Sequence, residues 1–151
     1  MSDMNKIDNI DKQIVRLLAQ NARQSSETLA KQLSISSATI RRRVNKLVSS
    51  GAIHMVAAVD PAKFGLSFVT IIALDVAHDK LDSIARLLAA KEQIMWISTT
   101  TGRFDIIALA SFSSAEDFYE FMQGELTNIE GLNNSETFVC LRLQKGQYLP
   151  I

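Results

Sequence analysis

The spacing of apolar residues changes once along this chain, and no other feature restricts its fold as much. From Ile7 to Gly51 they recur every three or four positions: Ile10, Ile14, Leu17 and Leu18, then Leu29, Ala30 and Leu33, then Ile40, Val44, Leu47 and Val48. A period near 3.6 residues puts each set on one stripe of a helix. Beyond Pro61 the period falls to two, beginning with FVTIIALDVA at 68–77, and such alternation belongs to strands. The chain therefore predicts a helical module and then a separate α+β module. Asp60-Pro61-Ala62-Lys63-Phe64-Gly65 reads as the linker, because Pro interrupts strands and Gly permits turns.

The first module divides into helices over roughly 8–21, 26–33 and 37–50. Asp8 is the expected N-cap of the first, Ser25 or Ser26 of the second, and Gly51 stands where the third must end. Ser34-Ile35-Ser36 breaks the pattern between the second and third, and Ala52 to Val59 follows as a β-prone run. In the second module strands are expected over about 68–77, 94–101, 104–112 and 136–144. Helices fall between them at about 81–90, with Leu81, Ile84, Ala85 and Leu88 inward, and from Ser114, with Phe118, Phe121, Met122 and Leu126 inward. The order β-α-β-β-α-β is that of a ferredoxin-like domain, whose two helices cover one face of an antiparallel sheet. Val69, Ile71 and Ala73 alternate with Phe68, Ile72 and Leu74, so the first strand is apolar on both faces. A second copy of the chain, in an isologous dimer, is the simplest cover for the face without helices.

Composition removes several classes of function. One cysteine, Cys140, and two histidines, His54 and His78, supply neither a disulfide nor a zinc-ligand set. No catalytic triad, P-loop or paired-carboxylate motif is present, so no catalytic residue, metal or cofactor is expected. The longest apolar stretch, Phe68 to Ala77, is about half of what spans a bilayer, and the polar, acidic start lacks a signal-peptide core. A cytoplasmic protein with no membrane partner is the expectation. Net charge is zero, yet residues 1–60 carry +4 and residues 61–151 carry −4, which favours a polyanionic partner for the first module.

Ser26 to Gly51, SETLAKQLSISSATIRRRVNKLVSSG, has the anatomy of a helix-turn-helix. Small Ala30 sits where two helices approach, a three-residue turn follows, and Ile35 anchors that turn. The third helix directs Ser37, Thr39, Arg41, Arg42, Asn45 and Lys46 outward and has no acidic residue. Hydroxyls of Ser36, Ser37 and Thr39 suit phosphate contacts at a helix start, while Arg and Asn read guanine and adenine edges. These residues are the candidate contacts to double-stranded DNA.

The chain resembles the leucine-responsive and asparagine-responsive (Lrp/AsnC, feast/famine) regulators. The likeness lies in IDNIDKQIVRLLAQNARQSSETLAKQLSISSATIRRRVNKLVSSGAI, in Thr101-Gly102-Arg103-Phe104-Asp105 before an apolar strand, and in IEGL followed by ETFVCL at 129–141. It departs from the family pattern at Ser37, where proline is common, and at Val48-Ser49-Ser50, which replaces a more acidic helix end. The resemblance implies a winged helix-turn-helix domain at 1–60, linker included, and a ferredoxin-like dimerisation and effector domain at 61–151. It further implies assembly from homodimer to octamer and an amino-acid effector bound between dimers. In that reading Gly102 lets the ligand approach the backbone and Asp105 engages its ammonium group. Thr137, Phe138 and Val139 of a neighbouring subunit complete the pocket, and Ser98 and Ala115 line it. Read blandly, Gly102 serves a tight turn, Asp105 caps the hairpin or pairs with Arg103, and Trp96 and Cys140 are packing residues. Two other functions stay open on the same fold. One is a DNA-organising protein without effector; the other is a sirohaem-decarboxylase-like enzyme, for which Arg103 is the only obvious basic residue near the turn.

Overall fold

The computed structural model describes residues 7–144 and the backbone of 149–150. Two compact units divide at Val56/Ala57. In the first, α1 (Asn9–Gln20), α2 (Ser26–Leu33) and α3 (Ser37–Ser49) each begin at a side-chain cap. Asp8 accepts from the Asp11 N–H at 2.9 Å while Asp11 accepts from the Asp8 N–H at 3.2 Å, a reciprocal capping box built from two aspartates. Ser25 and Ser36 accept from the N–H groups of Thr28 and Thr39. Between α2 and α3 the chain turns at Ser34, which adopts a left-handed conformation with φ 54°. Ile14, Leu18, Leu29, Ile40 and Leu47 form the buried centre, with Ala30, Ile35, Val44 and Ile53 packed around it. Each such aliphatic side chain contributes about 2 kcal/mol of burial.

The second unit contains β1 (Ala58–Val59), β2 (Phe68–Val76), α4 (Leu81–Ala89), β3 (Ile94–Thr99), β4 (Ile106–Phe112), α5 (Ala115–Phe121), β5 (Leu132–Val139) and β6 (Leu149–Pro150). Four strands make an antiparallel sheet in the order β3-β4-β2-β5. One face packs on α4, α5 and the π-helical turn Met122–Leu126, burying Ile72, Leu74, Ile106, Phe112, Ile84, Leu88, Phe121 and Leu126. Phe112 meets Phe118 and Phe121 with ring centroids 5.3 and 5.2 Å away. Those spacings suit edge-to-face packing of aromatic rings.

Several details differ from the sequence reading. The β-prone run 52–59 forms strand only at Ala58–Val59, which pairs with β6 in a separate two-stranded ribbon. Among the described residues the first unit thus has no strand-built wing behind α3. Asp60 to Gly65 is an ordered 3₁₀ turn, Asp60 capping the Ala62 N–H. Val48 is 44% exposed rather than inward, because it lies about 80° around the helix from Ile40, at the flank of the buried stripe. Strands β3 and β4 stop and start nearer the sheet, at Thr99 and Ile106. Strand β5 runs from Leu132 to Val139 instead of 136–144. It is an edge strand, where polar residues are tolerated, so Asn133 to Ser135 join it; it ends near where its neighbour β2 begins at Phe68, and Leu141 is left almost fully exposed. Trp96 is 53% exposed and so is not core, and Cys140 falls just past β5, its N–H donating to Val69 O.

Candidate nucleic-acid interface and effector surface

Helix α3 sorts its side chains by angle. Ile40 and Leu47 anchor one side; Ala38, Arg42, Asn45 and Ser49 line the opposite side, flanked by Arg41 and Lys46, and all of these outer residues are exposed. Ser37 and Thr39 are half-buried at the helix start, where the hydroxyls of Ser36 and Thr39 lie 2.9 Å apart. Ser36 uses its oxygen as the cap. A phosphate at this helix start would therefore meet backbone N–H groups as much as the hydroxyl.

The three consecutive arginines have three different surroundings. Arg42 is exposed with no ion pair among the described residues. Arg41 lies 3.6 Å from Glu27 of α2 with both side chains mostly in solvent, and such exposed pairs hold weakly. Arg43 turns inward: its Nη1 donates to Asp8 Oδ2 at 2.7 Å and to Asp11 Oδ1 at 2.8 Å. The Asp11 backbone N–H, then the Arg43 guanidinium, hold the Asp8 carboxyl below the usual range, and the hydrogen bonds that Arg43 donates to Asp11 and Asp8 push its own pKa up. Sequence reasoning left Arg43 unassigned. The available signal was a pair of aspartates three residues apart at a helix start, whose partner 32 or more residues away is not visible locally.

The proposed effector residues do not form one pocket in a single chain. Ser98, Gly102 and Asp105 lie at the turn end of the β3–β4 hairpin, opposite or beyond the Ile107 and Ile106 pairs. Gly102 has φ 115° with open space around it, so the turn conformation alone calls for glycine. Asp105 bridges strands: its N–H donates to Leu74 O, its carbonyl accepts from the Thr100 N–H, and its Oδ2 accepts from the Val76 N–H at 3.0 Å. Arg103 stacks over Phe104 and reaches toward Glu136 at 3.7 Å rather than Asp105. Ala115 sits past the other end of β4, about 20 Å along the strand. Thr137, Phe138 and Val139 are on β5, the opposite edge of the sheet from β3, and Thr137 and Phe138 face opposite sides. A cleft of about 560 Å³ lined by Phe64, Leu66, Ala90, Ile94 and Met95 contains none of these residues.

The sheet face away from the helices is apolar along one register line. Trp96, Leu109, Ile71 and Phe138 lie side by side across β3, β4, β2 and β5. Ile71 is 36% and Phe138 49% exposed. Among the described residues there is no cluster of three or more metal-ligating side chains and no helix long and apolar enough to cross a membrane.

Two family models match the chain, one in each unit. The family model of the AsnC-type helix-turn-helix domain matches residues 7–48, and that of the Lrp/AsnC ligand binding domain matches residues 67–148. An HTH-type transcriptional regulator of Pyrococcus furiosus is 32% identical over 143 residues, covering 94% of this chain and 97% of its own. The structure of E. coli AsnC has a TM-score of 0.86 at 25% identity, covering 94% of this chain and 97% of that one. A transcriptional regulator of Neisseria meningitidis, solved as a complex with L-Met, shares the fold with a TM-score of 0.83 at 22% identity over 93% of this chain and 94% of that one. These relatives are named as regulators, not enzymes. With a helix-turn-helix in its first unit and the ligand-binding sheet domain in its second, the chain belongs to the Lrp/AsnC family of transcriptional regulators.

Proposed function

We propose that the protein binds duplex DNA in a sequence-dependent way through α3 and that an amino acid modulates this binding by acting on assembly. The observation that carries the DNA reading is the outer side of α3. It presents Arg42, Asn45, Arg41 and Lys46 to solvent, with no acidic residue in the helix, while Arg43 is turned away. Arg42 and Asn45 lie three positions apart on one helix side, as groove-reading residues must. Ser36, Ser37 and Thr39 at the helix start would hold phosphate.

For the effector, support comes from the family's ligand-binding domain and from the L-Met complex of the Neisseria meningitidis regulator. Ser98, Gly102 and Asp105 offer one half of a site at the hairpin, and Ala115, Thr137, Phe138 and Val139 would have to come from other copies. A ligand shared between copies favours one assembly over another, and that differential affinity is what couples it to DNA binding.

Arg42→Ala is expected to weaken DNA binding without unfolding, since the side chain has no core contact. If Arg42 reads a base, gel-shift titration shows relaxed preference at one operator position at a cost of about 1–3 kcal/mol. If it holds phosphate, binding weakens on every sequence and the salt slope becomes shallower by about one unit. Unchanged binding would remove α3 as the recognition element. Calorimetry against the twenty amino acids with sedimentation in parallel tests the effector; no binding by any of them would leave a DNA-organising protein without one.

A further inference from the structure

We infer that Arg43 is a positioning residue for DNA recognition, clamping α3 to the start of α1 so that its outer side chains are held at a fixed rotation. The inference rests on reading α3 as the recognition helix. One nitrogen, Nη1, bridges two carboxylates, Asp8 Oδ2 at 2.7 Å and Asp11 Oδ1 at 2.8 Å. The side chains of Arg43 and Asp11 are only 21% and 9% exposed, so this pair is shielded from salt in a way that the Arg41–Glu27 pair is not. The two carboxylates are themselves fixed, because each caps the other's backbone N–H.

Apolar contact alone leaves a helix free to rock, since burial is non-directional. Ile40 and Leu47 hold α3 against the centre of the unit, but they do not define its rotation to within a hydrogen-bond length. The Arg43 contact does. A helix advances 100° per residue, so fixing Arg43 fixes the direction of Arg42 beside it and of Asn45 two positions on. Bidentate base contacts tolerate only small errors of placement, and it is this tolerance that the clamp would serve.

Charge supplies a test in which positioning and simple electrostatics have opposite signs. Asp8→Asn and Asp11→Asn each make the protein more positive by one unit, which by itself tightens binding to any duplex. Asn at position 8 remains a good N-cap, so Asp8→Asn preserves the fold even if Asp11→Asn does not. The probes are a duplex that the wild-type chain selects from a random library and a scrambled duplex of the same composition, used below the melting temperature of each variant. The expected result is that both Asn variants and Arg43→Gln lose about tenfold or more of the preference for the selected duplex. Affinity for the scrambled duplex should hold or rise in the Asn variants. Arg43→Lys should recover most of the preference, because one ammonium can bridge two carboxylates as Nη1 does. Preference unchanged in the folded variants would overturn the inference. So would an equal loss on both duplexes in Arg43→Gln with a salt slope shallower by one, which would make Arg43 a direct phosphate contact. If the wild-type chain selects no duplex at all, the recognition-helix reading fails first and the inference with it.

Discussion

Asp105 shows how one side chain can be both structural and available. Its backbone joins β2 to the β3–β4 turn and its Oδ2 caps the Val76 N–H, yet Oδ1 has no partner among the described residues. Asp105→Asn keeps an oxygen for Val76 and removes the charge. The melting temperature should therefore hardly change, while an effector whose ammonium pairs with the carboxylate should bind about tenfold or more weakly, a charged hydrogen bond being worth about 1.5–3 kcal/mol. Calorimetry and a melting curve on the same variant decide it. Lower stability with unchanged amino-acid affinity would restrict Asp105 to holding the end of β2 through the Val76 N–H. The sequence marks this residue, because aspartate is a poor strand former beside Ile106 and Ile107. It does not show Val76, which is 29 residues away.

At the scale of elements, the connection into β5 depends on Gly131. Its φ is +91°, its carbonyl accepts from the Ala77 N–H at 2.7 Å, and a Cβ there would come within 2.8 Å of Lys80 Cγ and 3.0 Å of Lys80 Cβ. Gly131→Ala is expected to destabilise the second unit by about 1–3 kcal/mol through backbone strain and that clash. Gly124→Ala is the matched control: it sits in the π-helical turn with open space around it, and should be neutral or slightly stabilising. Equal melting temperatures for the two variants would refute the role given to Gly131. The same connection explains why β5 starts early. Asn133 and Ser135 carry no strand signal of their own, but β2 offers a hydrogen-bonding edge, and Asn133 donates to Asp75 across it at 3.0 Å.

For the whole molecule, the line of Trp96, Leu109, Ile71 and Phe138 is the feature on which the proposal of a second copy rests. Large aromatic and aliphatic side chains in a line across a whole sheet face suit a self-complementary interface. Sedimentation of the full chain at micromolar concentration should give at least twice the monomer mass of 16.7 kDa. Ile71→Asp or Phe138→Asp should shift it toward monomer with its helix and strand content retained. A wild-type monomer would leave the face without its proposed cover, and the proposed half-sites at Asp105 and on β5 without a means of meeting.

Three helices, the turn at Ser34 and the alternation of β2 were legible because each depends on residues within a few positions of one another: a cap, a period, a break in that period. The arginine run was legible as charge for the same reason. What tertiary structure alone decided were the pairings over long separations. Only packing turned Arg43 toward Asp8 and Asp11, placed Phe138 beside Ile71, drew Asn133 into β5, and set Ala115 and Phe138 apart from Asp105. Local sequence fixes which way a segment bends and which side is apolar, but the partner it meets depends on loop closure and on the other segments competing for the same buried surface.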